Sequence, residues 1–240
     1  HLGSRQLTAD LPEVLARARA AGVAAMVAPA VDLANARVVL DIAEREPDVF
    51  AAVGIHPCDV DSVTGDDWVE ELRALALHPK AVALGETGLD YFHAPPEGFT
   101  VDCWRAWQKR VLRLHLELAV ETGLPVVLHN RESWDDLVAE VAPFHGRVRA
   151  QFHCHTGTLE QARPLLEAGH IISFTGIVTF KNPGHMAEAA ASAPAGTYML
   201  ETDAPYLAPM PHRGKRCEPA YVAHTAAKVA ELREQTLEQV

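Results

Sequence analysis

Gly85-Glu86-Thr87-Gly88-Leu89-Asp90-Tyr91 decides how this chain is read. The preceding residues, Ala81-Val82-Ala83-Leu84, form the short apolar run of a buried parallel strand. Glu86 is therefore expected at the strand's C-terminal mouth, where two glycines bend the backbone away. The same ending recurs along the sequence. Apolar runs stop at Gly54-Ile55-His56-Pro57, Leu128-His129-Asn130-Arg131, Phe152-His153-Cys154-His155 and Leu200-Glu201-Thr202-Asp203. Imidazoles and carboxylates at successive strand ends are what a barrel enzyme uses to assemble a metal site.

Composition sets the outer bounds. A chain of 240 residues with 48% hydrophobic content can bury a large core, and alternating strand and helix patterns fill its length as one domain, residues 1–240. A net charge of -11 argues against a general nucleic-acid coat protein, though a few local basic residues can still hold phosphates. The four cysteines have neither C-x-x-C spacing nor disulfide-scaffold density, which fits a reducing cytoplasm. No apolar run approaches the roughly 20 residues of a membrane span, so a monomer with no membrane partner is expected.

Working outward, helical spacing covers 11–21, 34–46, 67–77, 103–122, 133–141, 159–168 and 220–240, with a shorter helix before 197. Strand runs cover 23–28, 49–54, 81–84, 125–128, 147–152, 170–174 and 197–201. Seven such runs alternating with helices, and ending in convergent polar residues, predict an α/β protein with a parallel sheet closed as a TIM-like (β/α)8 barrel. Seven is one fewer than a complete barrel needs, so either a strand is expected before His1 or the barrel is expected to be incomplete.

Glu86, Asp203 and the strand-end histidines His56, His129 and His153 are the candidate metal ligands. Their mixture of imidazole and carboxylate suits one or two divalent ions of zinc, manganese or magnesium, and an acidic residue can bridge two of them. His153 and His155 lie two apart and would share one side of a strand. His153 is then the ligand and His155 a substrate or wall residue. Glu201 and Asp203 also share parity, placing Glu201 deeper, where a carboxylate orients a ligating imidazole. The basic loop His212-Arg213-Gly214-Lys215-Arg216 and Arg131 are candidates for gripping phosphate. Tyr91 and Phe174 are candidates for stacking a terminal base. Cys58 and Cys154 read as wall residues.

These stretches, with Glu201-Thr202-Asp203-Ala204-Pro205-Tyr206-Leu207 and Ile172-Ser173-Phe174-Thr175-Gly176, resemble the TatD family of metal-dependent deoxyribonucleases in order over nearly the whole chain. The resemblance implies an eight-stranded barrel of the amidohydrolase type that cleaves DNA phosphodiesters. Glu86 would bridge the metals, His129 and His153 would complete one ion's shell, and Asp203 would bind the other and handle the proton. His56 would contact substrate. His1 would be the second histidine of the His-x-His pair that opens the family, and thus a ligand. A barrel mouth favours single-stranded DNA or strand ends over intact duplex. The same chemistry would also serve an ester or amide hydrolase, such as an aminoacyl-tRNA deacylase. A scaffold protein with a degenerate site is the reading from a different class.

Overall fold

The structure, a computed structural model, describes residues 1–240. Seven strands, β1 (Met26–Pro29), β2 (Val49–Val53), β3 (Ala81–Asp90), β4 (Val126–Arg131), β5 (Ala150–Phe152), β6 (Ile171–Phe174) and β7 (Tyr198–Leu200), lie in chain order. The helices are α1 (Arg5–Thr8), α2 (Leu11–Ala20), α3 (Leu33–Arg45), α4 (Trp68–Ala76), α5 (Val101–Thr122), α6 (Trp134–Val141), α7 (Leu159–Glu167), α8 (Met186–Ser192) and α9 (Val222–Leu232). The chain divides into two compact units, Val27–Phe152 and His1–Met26 with His153–Val240.

In the Val27–Phe152 unit, β2, β3, β4 and β5 pair in parallel, with β3 buried along nearly its whole length and β4 burying Val126 and Leu128. Asp32 starts α3 by accepting the Asn35 N–H at 2.6 Å. Thr100 caps α5 on the Cys103 N–H, and Gly123, at φ 74°, ends it. Between these caps α5 buries Trp104, Val111, Leu112, Leu116 and Leu118 along one stripe. Each large apolar side chain so buried contributes roughly 1.5–3 kcal/mol, so Leu112→Ala is the kind of change that would loosen the helix from the sheet.

The strand carrying Glu86 differs from expectation. It does not stop at Leu84 but runs through Asp90, pairing Thr87 with Leu128 and Gly88 with His129 after a register shift beyond Leu84. Glycine permits this. Gly88 has φ 141°, and a Cβ there would lie 2.1 Å from the His129 carbonyl oxygen. Gly85 has φ 128°, and a Cβ would lie 2.6 Å from the Val127 oxygen. The two glycines hold β3 tight against β4, and that pairing brings Glu86 and Asp90 beside His129.

In the other unit, β6 and β7 pair in parallel, Ser173 opposite Met199. Arg17 on α2 binds Glu218 through its Nε at 2.6 Å, and Arg216 binds both Asp10 and Glu218. The first strand begins at Met26 rather than Val23, because the Val23 N–H caps α2 by donating to the Ala18 oxygen. The last helix stops at Leu232 instead of running to the end, since Glu234 takes a left-handed φ of 53°. No helix is long and apolar enough to cross a membrane.

Candidate metal centre

Glu86 is buried, and its Oε1 lies 2.8 Å from Nδ1 of His129. The opposite nitrogen of that ring, Nε2, lies 3.1 Å from Oδ2 of Asp90. A neutral imidazole carries one N–H, so it can donate to only one of the two carboxylates. Asp90 sits behind the ring from Glu86, and a His129 proton donated to it from Nε2 would leave Nδ1 for a cation beside Glu86. Burial pushes the Asp90 pKa up, but hydrogen bonds from His129 and from the backbone and ring of His93 outweigh burial and hold the carboxyl below the usual range. With its proton on Nε2, His129 turns the Nδ1 lone pair toward the Glu86 oxygen. Two electron-rich atoms at that separation fit a cation, and a carboxylate behind the ligating imidazole is the usual way such a ring is oriented.

His56 joins this group. Its Nε2 lies 3.2 Å from His129 Nδ1 and 3.6 Å from Glu86 Oε1, and the donor atoms of His56, Glu86 and His129 all fall within 4.8 Å of one another. The His56 ring is nevertheless set up to donate. The backbone N–H of Cys58 points at its Nδ1 at 3.1 Å, which leaves the ring's hydrogen on Nε2. The neighbouring backbone is pinned as well. Ile55 donates its N–H to Nε2 of His115 at 3.1 Å, while the His115 Nδ1–H reaches the Val111 oxygen. His115 is fully buried, and burial lowers its pKa to about 4.

A second group lies in the other unit. Nδ1 of His153 sits 2.6 Å from Oε2 of Glu201, and the other Glu201 oxygen accepts the Cys154 N–H and the Ser173 hydroxyl. Glu201 therefore orients the imidazole, as its parity with Asp203 suggested. Nε2 of His153 then faces Oδ1 of Asp203 at 4.0 Å, and Nε2 of His1 faces the same oxygen at 3.3 Å. The strand geometry behind the parity argument is absent, because β5 ends at Phe152 and β7 at Leu200. Left-handed φ values at Cys154 (48°) and Asp203 (58°) set these directions instead.

Several expected substrate residues fall elsewhere. His155 does not share the open side of His153: the turn at Cys154 buries it, and its Nε2 bonds the Thr158 oxygen at 3.0 Å. Phe174 is 0% exposed, in ring contact with Tyr198, and offers no face to a base. Tyr91 gives its hydroxyl to Asp136, and Arg105 covers its ring at 4.1 Å, so stacking there is blocked on that face. In the basic loop, Arg216 is neutralised by Asp10 and Glu218. Arg213 remains exposed over Phe180, and Arg131 remains exposed over Phe92. Asp90 was not assigned a role from sequence, although it closes the stretch that contains Glu86. No local signal marks it, because the strand run reads as ending at Leu84 and only its continuation to Asp90 brings this carboxylate beside His129.

Comparison with known proteins gives the family. The whole chain, residues 1–240, matches the model of the family described as TatD related DNase. It is 38% identical to a Bacillus subtilis protein named "Uncharacterized metal-dependent hydrolase YabD", over 100% of this chain and 91% of that protein. It is 34% identical to a Klebsiella pneumoniae protein named "3'-5' ssDNA/RNA exonuclease TatD", covering 97% and 88% respectively. Among solved structures, the TatD homologue YjjV of Escherichia coli superposes with a TM-score of 0.89 at 29% identity, covering all of this chain and 90% of that one. The fold is the TIM-barrel-type α/β fold of the TatD homologues, and this chain belongs to the TatD-related DNase family of metal-dependent hydrolases.

Proposed function

We propose that the protein hydrolyses phosphodiester bonds at the ends of single-stranded DNA, with one or two divalent ions of zinc, manganese or magnesium as cofactor. The observation that carries this reading is the Glu86 oxygen facing His129 Nδ1 at 2.8 Å while Asp90 takes the opposite nitrogen. When bound, the metal would supply Lewis acidity to a phosphoryl oxygen and acidity to a water molecule. Glu86 Oε1 and His129 Nδ1 would hold one ion. His153 Nε2, His1 Nε2 and Asp203 Oδ1 would serve another.

The remaining roles belong to the chain's own groups. Asp203 takes up the proton released by the attacking water at Oδ2, the carboxylate oxygen that would not ligate that ion. His56 donates from Nε2 to a phosphate oxygen, where negative charge grows as the bond breaks. Arg131 and Arg213 hold flanking phosphates. The relatives named as ssDNA/RNA exonucleases support single-stranded substrates, and RNA ends are included on that ground. The four free cysteines support a reducing compartment such as the cytoplasm.

The test uses the full chain, stripped by a chelator and reloaded with manganese. End-labelled single-stranded DNA, the matching duplex, single-stranded RNA and an aminoacyl ester are offered in parallel. Metal-dependent shortening of the single strands from one end is expected. Turnover of the ester alone would transfer the same residues to carbonyl chemistry, and turnover of none would favour a scaffold.

A further inference from the structure

Beside the His129 group, and outside the roles assigned above, stands a second set of donor atoms. Cys58 follows His56 at the start of the 3-10 turn Pro57–Ser62, and His93 lies just past the end of β3. The Cys58 sulfur is 3.6 Å from Nδ1 of His93, and the same nitrogen is 2.8 Å from Oδ2 of Asp90. One donor atom from each of the three lies within 4.8 Å of the others. We propose that Cys58 Sγ, His93 Nδ1 and Asp90 Oδ2 bind a zinc-class divalent cation, at a site distinct from the proposed hydrolytic ligands but sharing the Asp90 carboxylate with His129.

Donor chemistry and spacing support this. A thiolate, an imidazole and a carboxylate make the borderline-soft set that zinc and cobalt prefer over magnesium. Bond lengths of about 2.3 Å to sulfur and about 2.0 Å to nitrogen at a tetrahedral centre set the two donors roughly 3.6 Å apart. That is the separation already present between Cys58 and His93. The His93 to Asp90 distance must open by about half an ångström to reach a tetrahedral edge. His93 can give that, since its side chain is 53% exposed. Asp90 is anchored, its Oδ1 accepting the backbone N–H groups of Phe92 and His93. The exposed imidazole leaves the outer face of the site open to an entering ion and to a water as fourth ligand.

The carboxylates of Asp90, Asp59 and Glu86 act on this sulfur, and their combined charge favours a cation there. Cation binding would expel the thiol proton to solvent and form the sulfur-metal bond in its place, with no change of oxidation state. Oδ2 of Asp90 has two lone pairs, one engaged by the His129 Nε2–H and one facing Cys58 and His93.

Cobalt titration of the chelator-stripped full chain tests the site, because a thiolate bound to cobalt gives a charge-transfer absorption in the near ultraviolet that His and carboxylate ligands do not. The expected result is one such band. Cys58→Ser should abolish it and lower bound cobalt by one ion per chain, while Cys103→Ser should leave it unchanged. His93→Ala, an exposed change that spares folding, should weaken its half-saturation by at least the roughly 10–100-fold typical of disturbing a metal shell. Glu86→Gln should keep the band, so loss of the hydrolytic ion and loss of this one are read separately. No band in the parent, a band that survives Cys58→Ser, or indifference to His93→Ala would each show a hydrogen-bonded wall only.

Discussion

His129 and His153 are each oriented by a carboxylate, but through opposite nitrogens. Asp90 takes Nε2 of His129 and leaves Nδ1 to face Glu86, whereas Glu201 takes Nδ1 of His153 and leaves Nε2 to face Asp203. In the Val27–Phe152 unit, facing and orienting carboxylates both come from β3, four residues apart, on a strand that glycines press against β4. In the other unit they come from a segment just past β7, two residues apart, turned by the left-handed backbone at Asp203. The carboxylates also differ in setting. Asp90 is fully buried and accepts two backbone N–H groups, while Glu201 is 19% exposed and relies on one backbone N–H and the Ser173 hydroxyl. One chemical need, a fixed imidazole tautomer, is met by a rigid sheet in one unit and by a turn in the other.

Changing the facing carboxylate of the second group should have the largest effect. Asp203→Asn is expected to slow hydrolysis of single-stranded DNA by roughly 10²–10⁴-fold, the scale of a lost general base, with the ion held by Glu86 and His129 retained. Turnover within a few-fold of the parent, in a folded and metal-loaded variant, would remove Asp203 from proton transfer. His56→Ala should cost about 10²–10³-fold in kcat, with metal content unchanged, because its Nε2–H stabilises charge without ligating. If metal content falls with it, His56 is a ligand after all and the tautomer argument fails.

The orienting carboxylates give the finer contrast. Asp90→Asn and Glu201→Gln should each weaken metal binding by roughly 10–100-fold. Asp90→Asn should be the worse of the two, since the partly exposed Glu201 leaves room for water to replace part of what it supplies, whereas the Asp90 side chain is buried. Isothermal titration with manganese would measure both, and equal losses would erase the distinction between sheet and turn. The smallest effect on turnover is expected at His115, which supports the backbone before His56 from a distance. Its pKa is lowered in the folded state, so its contribution is full above the unfolded value near 6.5 and is lost as pH falls toward about 4. That difference corresponds to about 3 kcal/mol. The gap in Tm between the parent and His115→Gln should accordingly narrow over that range.

Much of the fold was legible because each strand is a short apolar run closed by a polar ending, and each helix carries a periodic apolar face. Every expected strand from 49 onward is present. Where the reading failed, a backbone event outweighed composition. β3 continues through two glycines that looked like a stop, and Val23 serves a helix cap instead of a strand. At the site, Glu86, His129, His153 and Asp203 were visible as chemistry at strand ends, and so was a role for Glu201 in orienting an imidazole, though not which one. The burial of Phe174 and His155 was not, because β6 is buried on both faces up to Phe174 and the left-handed turn at Cys154 takes His155 off strand parity. Asp90 required the register of β3 on β4, which no local pattern encodes.

The central claim, that Glu86 and His129 hold an ion needed for hydrolysis, is tested most directly by Glu86→Gln, which keeps the shape of the side chain and removes its charge. Metal content and single-stranded DNA hydrolysis would be measured on the parent and the variant after identical stripping and reloading, with thermal unfolding to establish that both are folded. The account predicts that the variant binds less manganese per chain and that hydrolysis falls by at least roughly 10³-fold, the scale expected when a metal's charge stabilisation is lost. A folded variant that keeps the parent's metal content and turnover would contradict it.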